Sequence, residues 1–326
     1  MQAIVVRTSG GPEELRLEDV AEPEPSSHQV LIDVQACGVN RADVLQRRGL
    51  YPPPPGESSV LGLECAGIVS RVGREVSGVQ PGDRVMALLG SGGYAERVCV
   101  HERLLLPVPE SFSFEQAAAV PEAFLTAHEA LLRVAELAPG ERVLIHAGAS
   151  GVGSAAVQIA REVGAFVLAT TRGPTKLELL HQLGVHRPID ALAEDFSEVT
   201  QAAARGAGAD VIVDLVGAAY AERNHAALAV GGRWVVVGLL GGSRASIDFA
   251  RLLTRRQTLR GIVMRSRPLP EKAAIVSSFR RDLWPWLLEG RLQPLIDRVY
   301  PLADARAAHE RLETNLSQGK IVLRVR

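Results

Sequence analysis

The stretch Val143-Leu144-Ile145-His146-Ala147-Gly148-Ala149-Ser150-Gly151-Val152-Gly153-Ser154-Ala155-Ala156-Val157-Gln158-Ile159-Ala160 decides the fold. It opens as an unbroken apolar run, the form of a strand buried on both faces. Glycines at 148, 151 and 153 then permit a tight turn, and the residues after them carry apolar side chains at helical spacing. Strand, glycine turn and helix in that order leave backbone N–H groups free at the positive end of a helix dipole, a seat for a pyrophosphate. The spacing is G-x-x-G-x-G and not G-x-G-x-x-G, so a turn that merely packs helix on strand is the alternative reading.

Further apolar runs follow at residues 165–171, 210–217, 234–242 and 259–264, with helix-like stretches such as 218–228 between them. That alternation predicts an α/β fold, a doubly wound parallel sheet of the Rossmann kind. Ligands of such sheets lie beyond the carboxyl ends of the strands, where Gly148, Thr170, Asp214 and Gly238 fall. An acid at the end of the second strand would bond a free ribose 2′-hydroxyl and repel a 2′-phosphate. Here the residues are Thr170-Thr171-Arg172-Gly173-Pro174-Thr175-Lys176, which offer hydroxyls and two cations. They favour NADPH over NADH. The alternative is that Arg172 and Lys176 are solvated charges at a helix start.

The chain has 326 residues, enough for two domains with substantial cores, and a formal net charge of −1. That balance argues against nucleic acid or an anionic membrane as partner. No apolar run approaches a membrane span, and Met1-Gln2-Ala3-Ile4-Val5-Val6-Arg7 reads as a strand and not a leader, so a cytoplasmic location is expected. Cys37, Cys65 and Cys99 cannot pair completely and are expected to be small buried residues of a reducing compartment.

The first 120 or so residues have shorter runs, at 30–36, 67–73, 83–88 and 94–100, broken by Gly82-Asp83 and Gly92-Gly93, as in a mainly antiparallel β domain. A helical stretch over 115–134, interrupted near Pro121, leads into the nucleotide domain. After Pro268 a helix to Glu289 is expected, and residues 320–325 form a last strand with no Rossmann partner. The tail therefore returns to the β domain. Expected boundaries are 1–121 for the first part of the β domain, 122–267 for the nucleotide domain and 268–326 for the return, with a cleft between domains.

Several local stretches sharpen this outline: Asn40-Arg41-Ala42-Asp43, Gln46-Arg47-Arg48-Gly49-Leu50-Tyr51-Pro52, Leu61-Gly62-Leu63-Glu64-Cys65-Ala66-Gly67 and Pro121-Glu122-Ala123-Phe124-Leu125-Thr126-Ala127. With the glycine turn, they make the whole chain resemble the zinc-independent NADPH:quinone oxidoreductase branch of the medium-chain dehydrogenase/reductase superfamily. The resemblance implies a GroES-like catalytic domain beside the Rossmann domain. It implies cofactor contacts from Asn40, Thr126, Gly148, Ser150, Gly151, Val152, Gly153, Thr170, Arg172, Lys176, Gly238, Leu239, Met264 and Asn315, and an active site of Tyr51, Asn40 and Asp43. A tyrosine common in the family near the adenosine phosphate is replaced here by Ala191, in Arg187-Pro188-Ile189-Asp190-Ala191.

Zinc-dependent members carry a cysteine shortly after a Cys-Gly-Val run and a histidine in Gly-His-Glu. Asn40 and Leu63 stand at those places here, and leucine binds no metal, so no metal is expected. Without a Lewis acid an alcohol or carbonyl reaction is hard, whereas quinones accept hydride or electrons once the nicotinamide is well placed. NADPH-dependent quinone reduction is the leading expectation. Reduction of activated C=C bonds in enals, enones or enoyl thioesters is the second, and a non-catalytic NADPH sensor the third. The family also implies a homodimer paired through residues 259–264.

Overall fold

The computed structural model describes all residues 1–326 and divides into two units, Met1–Leu125 with Met264–Arg326, and Thr126–Val263. The expected boundaries at 121 and 267 therefore move to 125 and 263. Helix Pro121–His128 runs across the first boundary, and Met264 to Arg267 belong with the β unit.

The nucleotide-type unit is built on a six-stranded parallel sheet ordered Arg187–Asp190, Phe166–Thr171, Arg142–Ile145, Ala209–Asp214, Leu228–Val236, Thr258–Gly261. The order reverses beside the first strand, which creates the topological switch point at which such sheets bind ligands. Leu144, Leu168, Ile189, Phe196, Ile212 and Trp234 meet in its core. Each such side chain stabilises the fold by roughly 1.5–3 kcal/mol through its removal from water. Two runs differ from expectation. The fifth strand begins at Leu228, through Gly231-Gly232, and ends at Val236, so that residues 237–242 are loop; the sixth stops at Gly261.

The helix Gly151–Val163 follows the first strand because its ends are punctuated. Ser150 caps it by accepting from Gly153 N–H at 3.1 Å, and Gly164 ends it with φ +85°. Its small residues let it lie against the strand turn. A Cβ at Gly153 would stand 2.1 Å from the Ala147 carbonyl oxygen. Ala147 itself is left-handed at φ 51°, a local strain of the kind that collects at ligand sites.

The other unit holds a seven-stranded sheet. Ile296–Pro301, Lys320–Arg324, Gln29–Val39, Glu64–Val72, Arg84–Leu88 and Leu105–Pro107 lie side by side, and Arg97–His101 also pairs with Gln29–Val39. The tail thus returns as expected: Lys320–Arg324 runs antiparallel to Gln29–Val39 with Ile321 opposite Val39. The helix expected to run from 268 to 289 is two helices, Leu269–Asp282 and Trp284–Leu288, because Pro285 cannot continue the hydrogen-bond ladder. Cys37 and Cys65 are buried and free, and Cys99 is half-buried. No helix is long and apolar enough to cross a membrane.

Candidate functional site

In the parallel-sheet unit the turn at 147–153 makes an anion seat. Ser150 satisfies Gly153 N–H and its carbonyl accepts from Ser154 N–H at 2.8 Å, which leaves Gly151 N–H and Val152 N–H as the unpaired donors of the first turn. At Gly148 an added Cβ would meet Ala169 Cβ at 2.9 Å, and at Gly238 the Leu215 carbonyl oxygen at 2.9 Å. Bare backbone is thus required on both sides of the switch point. Free amides, a helix dipole and glycines that a side chain would fill fit a dinucleotide pyrophosphate.

Thr170 does not face this seat as a donor. It is 1% exposed, and its hydroxyl lies 3.0 Å from His146 Nδ1. The other imidazole nitrogen meets Asn224 Oδ1 at 2.7 Å, and Asn224 Nδ2 in turn donates to Asp214 Oδ2 at 3.0 Å. That chain assigns the proton to His146 Nε2, so Nδ1 accepts from Thr170. Burial lowers the His146 pKa and keeps the ring neutral. Asp214 also accepts from Trp234 Nε1 at 3.0 Å and from the N–H groups of Val216 and Gly217. Expected to touch cofactor directly, Thr170 is therefore a positioning residue inside a buried polar chain. Arg172, by contrast, is exposed and makes no hydrogen bond, Lys176 is half-buried, and Leu239 is exposed on the loop after the fifth strand. Thr126 is buried in the helix Pro121–His128.

In the β unit Asn40 caps the helix Arg41–Arg47, where Asp43 is the third residue and accepts from Asn40 N–H at 2.7 Å. Asn40 Nδ2 donates to Glu64 Oε1 at 2.8 Å, and Lys320 Nζ donates to Asn40 Oδ1 at 2.6 Å and pairs with Glu64 as well. The second Glu64 oxygen accepts from Glu122 N–H at 2.8 Å. Glu64 is 0% exposed, so this ion pair is shut away from water. Asp43 is also 0% exposed, held by Gly62 N–H at 3.1 Å and the Tyr94 hydroxyl at 3.3 Å; burial lifts its pKa to about 6. Its expected place on the substrate wall gives way to a positioning role, since no face of the carboxylate is open.

Tyr51 is half-buried and its hydroxyl makes no hydrogen bond. Arg265 fixes the residue from behind. Its guanidinium carbon stands 5.1 Å from the ring centroid, and its nitrogens donate to the carbonyls of Tyr51 at 3.0 Å and Gly90 at 2.7 Å and to the Gln46 side chain. Burial raises the Tyr51 pKa, with Arg265 opposing and Glu122 reinforcing that shift. Glu122 is itself pushed up to about 8, by burial first and by Glu64 second, which leaves it protonated at neutral pH. Met264, next to Arg265, is buried; Asn315, left-handed at φ 58°, accepts from Arg41 at 2.7 Å. Glu64, Glu122, Arg265 and Lys320 were not singled out by sequence reasoning. The signal was present for one of them, because Arg265 abuts an apolar run at a position where an arginine is normally exposed.

No group of three or more His, Cys, Asp or Glu side chains is placed to hold a metal ion. Leu63, at the place of the zinc-dependent members' histidine, is 1% exposed.

A glycine seat for a dinucleotide on one unit and a half-buried phenol among buried charges on the other define a nicotinamide-dependent oxidoreductase. A family model described as "Zinc-binding dehydrogenase" matches residues 151–279, and one described as "Alcohol dehydrogenase GroES-like domain" matches residues 26–110. The chain is 35% identical over 328 residues to a quinone oxidoreductase of Rattus norvegicus, covering 99% of this chain and 97% of the relative. Among solved structures, an NAD-dependent alcohol dehydrogenase matches with TM-score 0.89 at 34% identity, covering 100% of both chains. A mycobacterial protein, Rv1454c complexed with NADPH, matches with TM-score 0.89 at 31% identity, again covering 100% of both. The chain belongs to the medium-chain dehydrogenase/reductase superfamily, in its quinone oxidoreductase branch.

Proposed function

We propose that the protein is a zinc-independent, NADPH-dependent quinone reductase. The observation that carries this reading is Tyr51: a hydroxyl with no partner in the protein, held by Arg265, in a unit where Leu63 and Asn40 fall short of a zinc ligand set. NADPH, when bound, supplies the hydride or electrons. Gly151 and Val152 N–H hold its pyrophosphate, and Arg172 and Lys176 favour its 2′-phosphate. Tyr51 donates to the quinone oxygen on which charge develops, and the Glu64–Lys320 pair keeps Asn40 in place beside it. A quinone needs no stronger electrophile than this phenol.

The test is a panel that follows NADPH absorbance with ortho- and para-quinones, enones, enoyl thioesters and simple aldehydes, ketones and alcohols, in the presence and absence of chelator. Quinones are expected to react much faster than simple carbonyls, with no loss to chelator. Fast turnover confined to enones moves the assignment to alkene reduction, and binding without turnover of any acceptor makes the protein a sensor.

A homodimer is part of the same reading. The strand Thr258–Gly261 lies at an open sheet edge with all four residues exposed, and Phe249 and Leu253 on the helix Phe249–Thr254 are 73% and 77% exposed. Pairing across a two-fold axis protects an open strand edge and can cover exposed apolar side chains of this kind. Sedimentation at micromolar concentration should give twice the chain mass, and a monomer there would remove the claim.

A further inference from the structure

Arg223 is a cation with no hydrogen-bonded counter-ion. It sits on the helix Ala221–Ala227, half-exposed, and makes neither a hydrogen bond nor an ion pair. Its guanidinium carbon stands 4.6 Å from the Phe196 ring centroid and 4.9 Å from that of Tyr220. Two aromatic faces hold an arginine in one place while leaving its five N–H donors unspent. That is a prepared anion ligand.

The surroundings place it at the end of the second parallel strand. Tyr220 packs on His146 at 4.8 Å between ring centroids, and His146 is bonded to Thr170, two residues before Arg172. Arg223 and Arg172 both oppose the upward push of burial on the Tyr220 pKa, so both charges act on the phenol that braces Arg223. The nearby acids make their hydrogen bonds elsewhere, although the Arg223 charge helps to hold the Asp195 pKa low. Asp190 Oδ1 accepts from Gly173 and Leu192 N–H at 3.1 and 3.0 Å, and Asp195 Oδ1 accepts from Ser197 N–H at 2.8 Å. Gly173 has φ +86°, and a Cβ there would meet no atom within 4 Å, which leaves room beside Arg172.

We propose that Arg223, braced on Phe196 and Tyr220, forms with Arg172 a two-arginine clamp for the 2′-phosphate of NADPH. This rests on the NADPH reading above. Two guanidinium groups meet a phosphate dianion with paired, charge-assisted bonds, which a free 2′-hydroxyl cannot return.

Calorimetric titration of the whole protein with 2′,5′-ADP and with ADP tests the two steps separately, since neither fragment undergoes reaction. The wild type should prefer 2′,5′-ADP, and Arg172→Ala should lose that preference; a wild type that binds both alike overturns the NADPH reading and the clamp with it. Given the preference, Arg223→Gln should weaken 2′,5′-ADP by about tenfold or more and leave ADP within about twofold, with Arg223→Lys intermediate. Unchanged 2′,5′-ADP binding by Arg223→Gln, or equal loss for both fragments, overturns the clamp while the NADPH reading stands. A purely structural role for the Phe196–Arg223–Tyr220 stack would move both fragments together.

Discussion

Lys320→Met should cost about 3–5 kcal/mol of folding stability, far more than a surface lysine, because it strands the Glu64 carboxylate in a region closed to water. Glu64 would keep Asn40 Nδ2 and Glu122 N–H as partners, but these are dipoles and do not replace a charge. The double variant Glu64→Gln/Lys320→Met should lose less than the sum of the single losses, since it removes both charges at once. Denaturant midpoints of the wild type, both single variants and the double variant measure the cycle. A loss below about 1 kcal/mol for Lys320→Met would mean the pair behaves as exposed pairs do, and the closed-site description would be wrong.

Tyr51→Phe should lower quinone turnover about tenfold or more, equivalent to about 1.4 kcal/mol of transition-state stabilisation, while leaving NADPH affinity nearly unchanged. The ring is retained, so its contact with Arg265 persists and the loop stays anchored. Only the donor is lost. Single-turnover measurement with a para-quinone separates this from an effect on binding. Equal turnover by the two proteins would show that the hydroxyl does not reach the acceptor.

The parts of the structure that were legible in the sequence are those written locally. The glycine turn, the apolar strands and the returning last strand each declare themselves within about ten residues, and all are present, although the strands expected at 234–242 and 259–264 are shifted or cut short. The site was legible only in part. Asn40, Tyr51 and the turn glycines can be picked from the sequence as candidates, but the hydrogen bonds that turn Asp43 and Thr170 inward cannot. Asp43 is enclosed by Gly62 and Tyr94, and Thr170 is claimed by a histidine just past the end of the neighbouring strand. Nor does spacing show that Arg223 lies on Phe196, which comes from a different helix. Side-chain commitments of this kind depend on which strands become neighbours. They become readable only after the topology is known.

The Glu64–Lys320 pair joins residues 256 positions apart, and the whole parallel-sheet unit is encoded between them. On a ribosome adding roughly 5–20 residues per second, the acid waits tens of seconds for its lysine. Throughout that interval Glu64 has been made and Lys320 has not, so burying its carboxylate would be strongly unfavourable. The inserted unit has its entire sequence in hand well before then. The middle segment is therefore free to fold before the sheet that flanks it in sequence, and the Glu64 site can close only once the last strand brings its charge.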